Sequence, residues 1–200
     1  MLKSRSAQSG VSLIELAVAV TILAVLMASG LPSFSSWIQS SKIRTTAESI
    51  QNGLQLARAQ AVSRNALVSF HLTDSATAAC ALSATGSNWV VSLDDPTGAC
   101  DAATSEVAAP RIIQMRSAAE GSSNVEVDAG GVSTVTFNGM GRVVPLPAAN
   151  IVIALTNTAG GACATTTTAG PMRCLNVTVS TGGQVRMCDT ALPGTDPRGC

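Results

Sequence analysis

The chain has 200 residues, with 12 basic and 12 acidic side chains, a formal net charge of zero and a mean hydropathy of +0.34. That length allows one domain of about 150 residues beyond an export segment, and the balanced charge does not mark a polyanion partner, although local patches remain open. Sparse charge with abundant Thr, Ser, Ala and Gly points to an exported, β-rich and loop-rich domain, not a cytosolic enzyme.

The first element in chain order is a short basic leader with Lys3 and Arg5, ending at Gly10. A run follows from Val11 to Leu31 in which Glu15 is the only charge, and the 16 residues from Leu16 to Leu31 carry none. A helix from Leu13 to Leu31 would be about 28 Å long at 1.5 Å per residue, just enough to cross a membrane. The basic leader would then stay cytoplasmic and the rest would be exported. A secretory signal peptide with Ala28-Ser29-Gly30 as its cleavage site is the simpler reading, and a plain single-span anchor is another. Neither explains an acid at the head of the run, or the glycine junction before it. A charge inside a membrane helix costs about 2.5–3.5 kcal/mol at the centre and less near an end, so Glu15 calls for a partner.

Residues 33–65 continue as an amphipathic helix. Ile43, Ala47, Ile50, Leu54, Ala57 and Ala61 recur at three- and four-residue spacing and form one apolar stripe. Lys42, Arg44, Arg58 and Arg64 lie off it, and Gly53 is a local weakness of about 1 kcal/mol relative to Ala. The stripe is expected to pack on a sheet. From residue 66 the period becomes two. Strands are expected at 67–72, 88–93, 111–115, 124–127, 132–137, 150–156, 175–180 and 184–188, with turns at Asp94-Asp95-Pro96, Asn138-Gly139 and Gly182-Gly183. The Thr/Ala/Gly-rich stretch 160–170 reads as flexible, and 189–200 as loop. One long helix packed on a β-rich head of seven or eight short strands, residues 66–200, makes an α+β chain with no repeat or second domain.

The six cysteines are Cys80, Cys100, Cys163, Cys174, Cys188 and Cys200. An even count in an exported chain implies disulfides, here with 15 possible connectivities. Proximity in sequence favours Cys80–Cys100, Cys163–Cys174 and Cys188–Cys200, while Cys174–Cys188 and Cys163–Cys200 stay open. A zinc site lacks a CxxC pair and has only His71 to offer. No catalytic constellation stands out, and no metal or cofactor is expected. His71 sits in an alternating strand pattern, Asp94 and Asp95 read as a turn rather than calcium ligands, and the sequon at Asn176 falls inside a strand. Gly139-Met140-Gly141-Arg142 lacks the longer phosphate-loop pattern and a following helix.

The junction Gly10-Val11-Ser12-Leu13-Ile14-Glu15 behind its basic leader closely resembles the class III signal of type IV prepilins and type II secretion pseudopilins. Val11 departs from the usual Phe after the cut, and Pro32 falls where pilins carry a helix-kinking proline. The resemblance implies a leader of residues 1–10, cleavage by prepilin peptidase between Gly10 and Val11, and methylation of the new amine. It also implies a membrane and filament-core helix over 11–32, and pairing of Glu15 with the freed amine of a neighbouring subunit. Further marks resemble the GspH/FimT/FimU group. They are Ala47-Glu48, Leu54 to Ala61, Arg64-Asn65, Trp89-Val90-Val91 and Val135-Thr136-Phe137 before Gly139 and Gly141, then Gly183-Gln184-Val185-Arg186-Met187-Cys188. The group implies a pilin-like fold and a structural role. The chain would be an inner-membrane, single-pass subunit with a periplasmic head that enters the tip or priming complex of a type IV pilus. A GspH-like pseudopilin of type II secretion is the alternative. Partners would be prepilin peptidase, other minor and major pilins or pseudopilins, and the inner membrane. FimT-like members that bind DNA carry Gly-Arg-x-Arg near the C terminus; here one of the two arginines is missing, leaving Arg186, with Arg173 and Arg198 to reinforce it if the disulfides gather them. That implies weak, salt-sensitive DNA binding at most.

Overall fold

The computed structural model describes residues 11–118 and 124–200, without the side chains of 28–34. The leader call, including Gly10, lies outside the described residues. The chain divides into two compact units, Met1–Ser35 and Ser36–Cys200. One helix, α1, runs Leu13–Arg64.

Within the second unit, the six stripe residues from Ile43 to Ala61 are all fully buried. Two antiparallel sheets receive them. The first has the order β3-β2-β1-β5-β6, with β1 Val68–Thr73, β2 Asn88–Ser92, β3 Ile112–Arg116, β5 Thr134–Phe137 and β6 Val143–Val144. The second has the order β4-β7-β8-β9, with β4 Glu126–Asp128, β7 Ile151–Thr156, β8 Leu175–Val179 and β9 Val185–Asp189. All eight expected strands form, with ends shifted by up to two residues. β6 is new; two residues carry no detectable period.

Alternation places Val68, Phe70 and Leu72 of β1 in one core with the α1 stripe, Phe137 of β5 and Ile153, Leu155, Val177 and Val179 of the second sheet. The other face of β1 carries Ser69, His71 and Thr73. A second, smaller cluster of Cys80, Val90, Cys100 and Ile112 covers that side. Strand β2 is therefore buried along its whole length, unlike an ordinary half-solvated strand.

The disulfides join Cys80 to Cys100, Cys163 to Cys174 and Cys188 to Cys200, with Cα–Cα separations of 6.0, 5.5 and 5.1 Å. The first holds the segments that connect β1, β2 and β3, the second closes the β7–β8 connection, and the third ties the C-terminal tail to β9. Backbone bonds reinforce the third: Asp189 N–H donates to the Arg198 carbonyl at 2.7 Å, and Cys200 N–H to the Asp189 carbonyl at 3.3 Å.

Candidate functional site

Two regions hold the residues singled out from sequence. In the first unit, Val11 precedes the helix and is 71% exposed. Glu15 lies in the first turn of α1, where a carboxylate suits the unpaired N–H groups and the helix dipole. Ser12 accepts the first helical bond, from Leu16 N–H at 3.1 Å, so Ser12-Leu13-Ile14-Glu15 has the spacing of a capping box. Beyond it, ten large apolar side chains from Leu13 to Met27 are 51–87% exposed and distributed around the helix. A helix apolar on every side is one whose partners lie outside it. Among the described residues no helix is long and apolar enough to cross a membrane. The expected span 11–32 falls partly on side chains outside that description.

In the second unit, the C-terminal arginines separate into two sets. A groove of about 550 Å³ runs between α1 and the tail, lined by Trp37, Ser40, Ser41 and Arg44 on the helix and by Arg173, Leu175, Asp189, Leu192 and Arg198 opposite. Arg173 and Arg198 do come together here, but Arg186 does not line the groove. It is exposed on β9, an edge strand, and donates to the Gly199 carbonyl at 3.4 Å. The two C-terminal arginines in the groove, Arg173 and Arg198, are already engaged. Arg173 pairs with Asp189 at 2.9 Å and Arg198 with Asp196 at 3.2 Å. The hydrogen bonds from Arg198 hold the Asp196 carboxyl below its ordinary range. Arg44 and Trp37 were not singled out from sequence as site residues. The signal was available: Trp37, Ser40, Ser41 and Arg44 stand at i, i+3, i+4 and i+7, one face of a helix away from the buried stripe.

The glycines among the family marks have packing roles. Gly141 has φ +73°, and a Cβ on Gly183 would come within 2.0 Å of the Gly141 carbonyl oxygen. Arg58 of α1 donates to that same oxygen at 3.1 Å. The β5–β6 turn is thus clamped between the helix and the β8–β9 turn, so Gly183 of the Gly183-Gln184-Val185-Arg186 mark serves close backbone approach.

Asp94 and Asp95 are both occupied. Arg111 forks onto Asp94, with its Nε donating at 2.7 Å, and holds that carboxyl below its ordinary range. Asp95 accepts from the Thr97 hydroxyl and backbone N–H, which lower it likewise. Among the described residues no group of three or more His, Cys, Asp or Glu side chains is placed to hold a metal. His71 is only 5% exposed, and burial pushes its imidazole down to about 4, against a smaller opposing effect of Asp95. Its Nδ1 lies 3.0 Å from the Thr134 hydroxyl, while Nε2 has no partner among the described residues. A bare lone pair is less costly to bury than an unmatched N–H, which favours the tautomer protonated at Nδ1.

Comparison with known proteins gives two family matches. Type II transport protein GspH matches residues 46–183, and the prokaryotic N-terminal methylation motif matches residues 5–31. No curated protein matches the chain. The crystal structure of the Pseudomonas aeruginosa type IV minor pilin FimU is similar, with 17% identity, a TM-score of 0.46, and coverage of 78% of this chain and 98% of that one. The solution structure of Escherichia coli GspH is similar at 14% identity and a TM-score of 0.40, covering 80% and 95%. Matched by GspH over more than half its length and by the methylation motif at its N terminus, the chain belongs to the GspH family of minor pilins and pseudopilins.

Proposed function

We propose that the chain is a FimT/FimU-like minor pilin that primes or tips a type IV pilus. Prepilin peptidase cuts between Gly10 and Val11 and methylates the Val11 amine. Residues 11–32 hold the subunit in the inner membrane with its head in the periplasm, then pass into the filament core. The observation that carries this reading is the run of ten exposed apolar side chains from Leu13 to Met27, within a matched methylation motif and continuous with a helix that elsewhere buries one face in a β head. Such a segment needs first a lipid and then a protein environment.

In that core Glu15 neutralises the methylated amine of a neighbouring subunit. Both charges are then desolvated, and removing one partner of a buried pair costs about 3–5 kcal/mol. The pair therefore fixes axial register. The test is expression of the full chain with its filament machinery. Glu15→Ala is expected to be cleaved normally, as read by N-terminal mass spectrometry, and to fall about tenfold or more in the sheared filament fraction. Normal incorporation removes the role of Glu15, and absence of cleavage after Gly10 removes the whole reading.

The match to a type II transport protein over residues 46–183 supports a second reading, a GspH-like minor pseudopilin. Neighbouring genes separate the two: other minor pilins in one case, secretion components in the other. A DNA-binding role for Arg173, Arg186 and Arg198 has less support, because two of the three face carboxylates. It predicts weak binding that vanishes with modest salt.

A further inference from the structure

Building on the reading of the chain as a filament subunit, we propose that the groove beside Arg44 docks a short peptide segment of a neighbouring subunit, one that carries a single carboxylate next to an apolar side chain.

The groove's about 550 Å³ lies within the range of about 300–1,000 Å³ usual for small-molecule pockets. Its charge is nearly balanced, since Asp189 and Asp196 occupy Arg173 and Arg198. Arg44 is the exception: it is exposed and has no hydrogen-bond or ion-pair partner among the described residues. The groove thus offers one uncommitted guanidinium. Around it lie apolar surfaces, the 66% exposed Trp37 on one side and Leu175 and Leu192 on the other.

One free cation discriminates between partners. A nucleic acid gains affinity by neutralising many phosphates, each adding about one unit to the salt slope, and a single arginine supplies about one. A single carboxylate needs no more than one guanidinium, which it accepts in a two-pronged bond. The flanking indole then gives an adjoining apolar residue a flat surface, and arginine and tryptophan are both enriched among the residues that carry most of an interface's binding energy. On the far wall, Arg173 is paired with Asp189 at the end of β9 and Arg198 with Asp196 within the tail. In sequence, the helical wall Trp37 to Arg44 follows directly on the segment proposed to pack between subunits.

The test places a photocrosslinking amino acid at Ser41 of the full chain, in cells that assemble its filament. Crosslinked peptides are then identified by mass spectrometry. The expected product joins position 41 to one segment of another processed subunit, with an Asp or Glu within a few residues. Arg44→Glu lowers its yield about tenfold, and replacing the partner's acid with Lys restores it. Arg44 is exposed, so the variant should fold; unchanged near-ultraviolet circular dichroism checks this. Crosslinks to nucleic acid alone, to a segment without an acid, or to nothing overturn the proposal. So does a yield that ignores Arg44→Glu. Normal processing after Gly10 in the same cells separates failure of the groove from failure of the filament reading.

Discussion

Two stretches of one helix have opposite fates. Residues 13–27 of α1 are apolar at almost every position, and their large side chains stay 51–87% exposed. Residues 43–61 carry one apolar stripe at every third or fourth position, and all six of its side chains are fully buried. Hydrophobicity alone would rank the first stretch as the better core. Periodicity ranks them correctly, because a one-sided stripe specifies a partner on one side, which this chain supplies from its own sheets. An apolar surface on all sides specifies surroundings the chain does not contain.

The largest expected effect tests this contrast directly. Leu54→Ala empties part of the core and should lower unfolding stability by about 2–5 kcal/mol. Leu23→Ala, at a position 53% exposed, should change it by less than about 0.5 kcal/mol. Denaturant titration of the full chain in detergent reads both. Similar losses from the two would break the comparison.

Acid should loosen the packed head through one buried imidazole. Folded His71 is held neutral down to about 4, whereas the unfolded imidazole takes a proton near 6.5. Between those values the unfolded state binds more protons, so stability is complete above pH 6.5 and falls as pH drops towards 4. The loss amounts to about 3 kcal/mol. Asp74, Asp94, Asp95 and Asp196, whose carboxyls are lowered from 3.8, contribute further down. Stability measured from pH 7 to 4 should slope for the native chain and flatten for His71→Gln. A slope that survives the substitution assigns the effect elsewhere.

Much of this was legible in sequence, for identifiable reasons. The stripe Ile43 to Ala61 and the eight longer strands follow from periods of 3.6 and 2, which burial on one face imposes. The disulfides formed are the three short-range pairs, since nearby cysteines in tight loops reach each other without reordering the sheets. What escaped was tertiary. His71 read as an ordinary strand residue, because nothing local says that the Cys80–Cys100 loop folds back over that face of β1. Arg186 was grouped with Arg173 and Arg198, yet alternation along β9 and the path of the tail put it outside their groove. Arg44, over 120 residues away in sequence, took its place.

Gly53 shows the same limit within the buried stretch, and gives the smallest test. Sequence marks it as a weakness that Ala would correct by about 1 kcal/mol. In the fold it sits directly against two rings of the first sheet. A Cβ there would stand 2.7 Å from Phe70 Cε2 and 3.1 Å from the Trp89 ring. Neither ring can easily retreat. Phe70 is 1% exposed, the two rings pack with centroids 5.7 Å apart, and Trp89 Nε1 donates to the Ser49 hydroxyl at 3.0 Å. Overpacking of this kind costs about 1–3 kcal/mol, which outweighs the gain in helix propensity. Gly53→Ala should therefore destabilise the head by about 1 kcal/mol and disturb the Trp89 near-ultraviolet signal. If it stabilises instead, local propensity governs the buried half of α1 as well, and packing against the sheet is looser than the intact stripe implies.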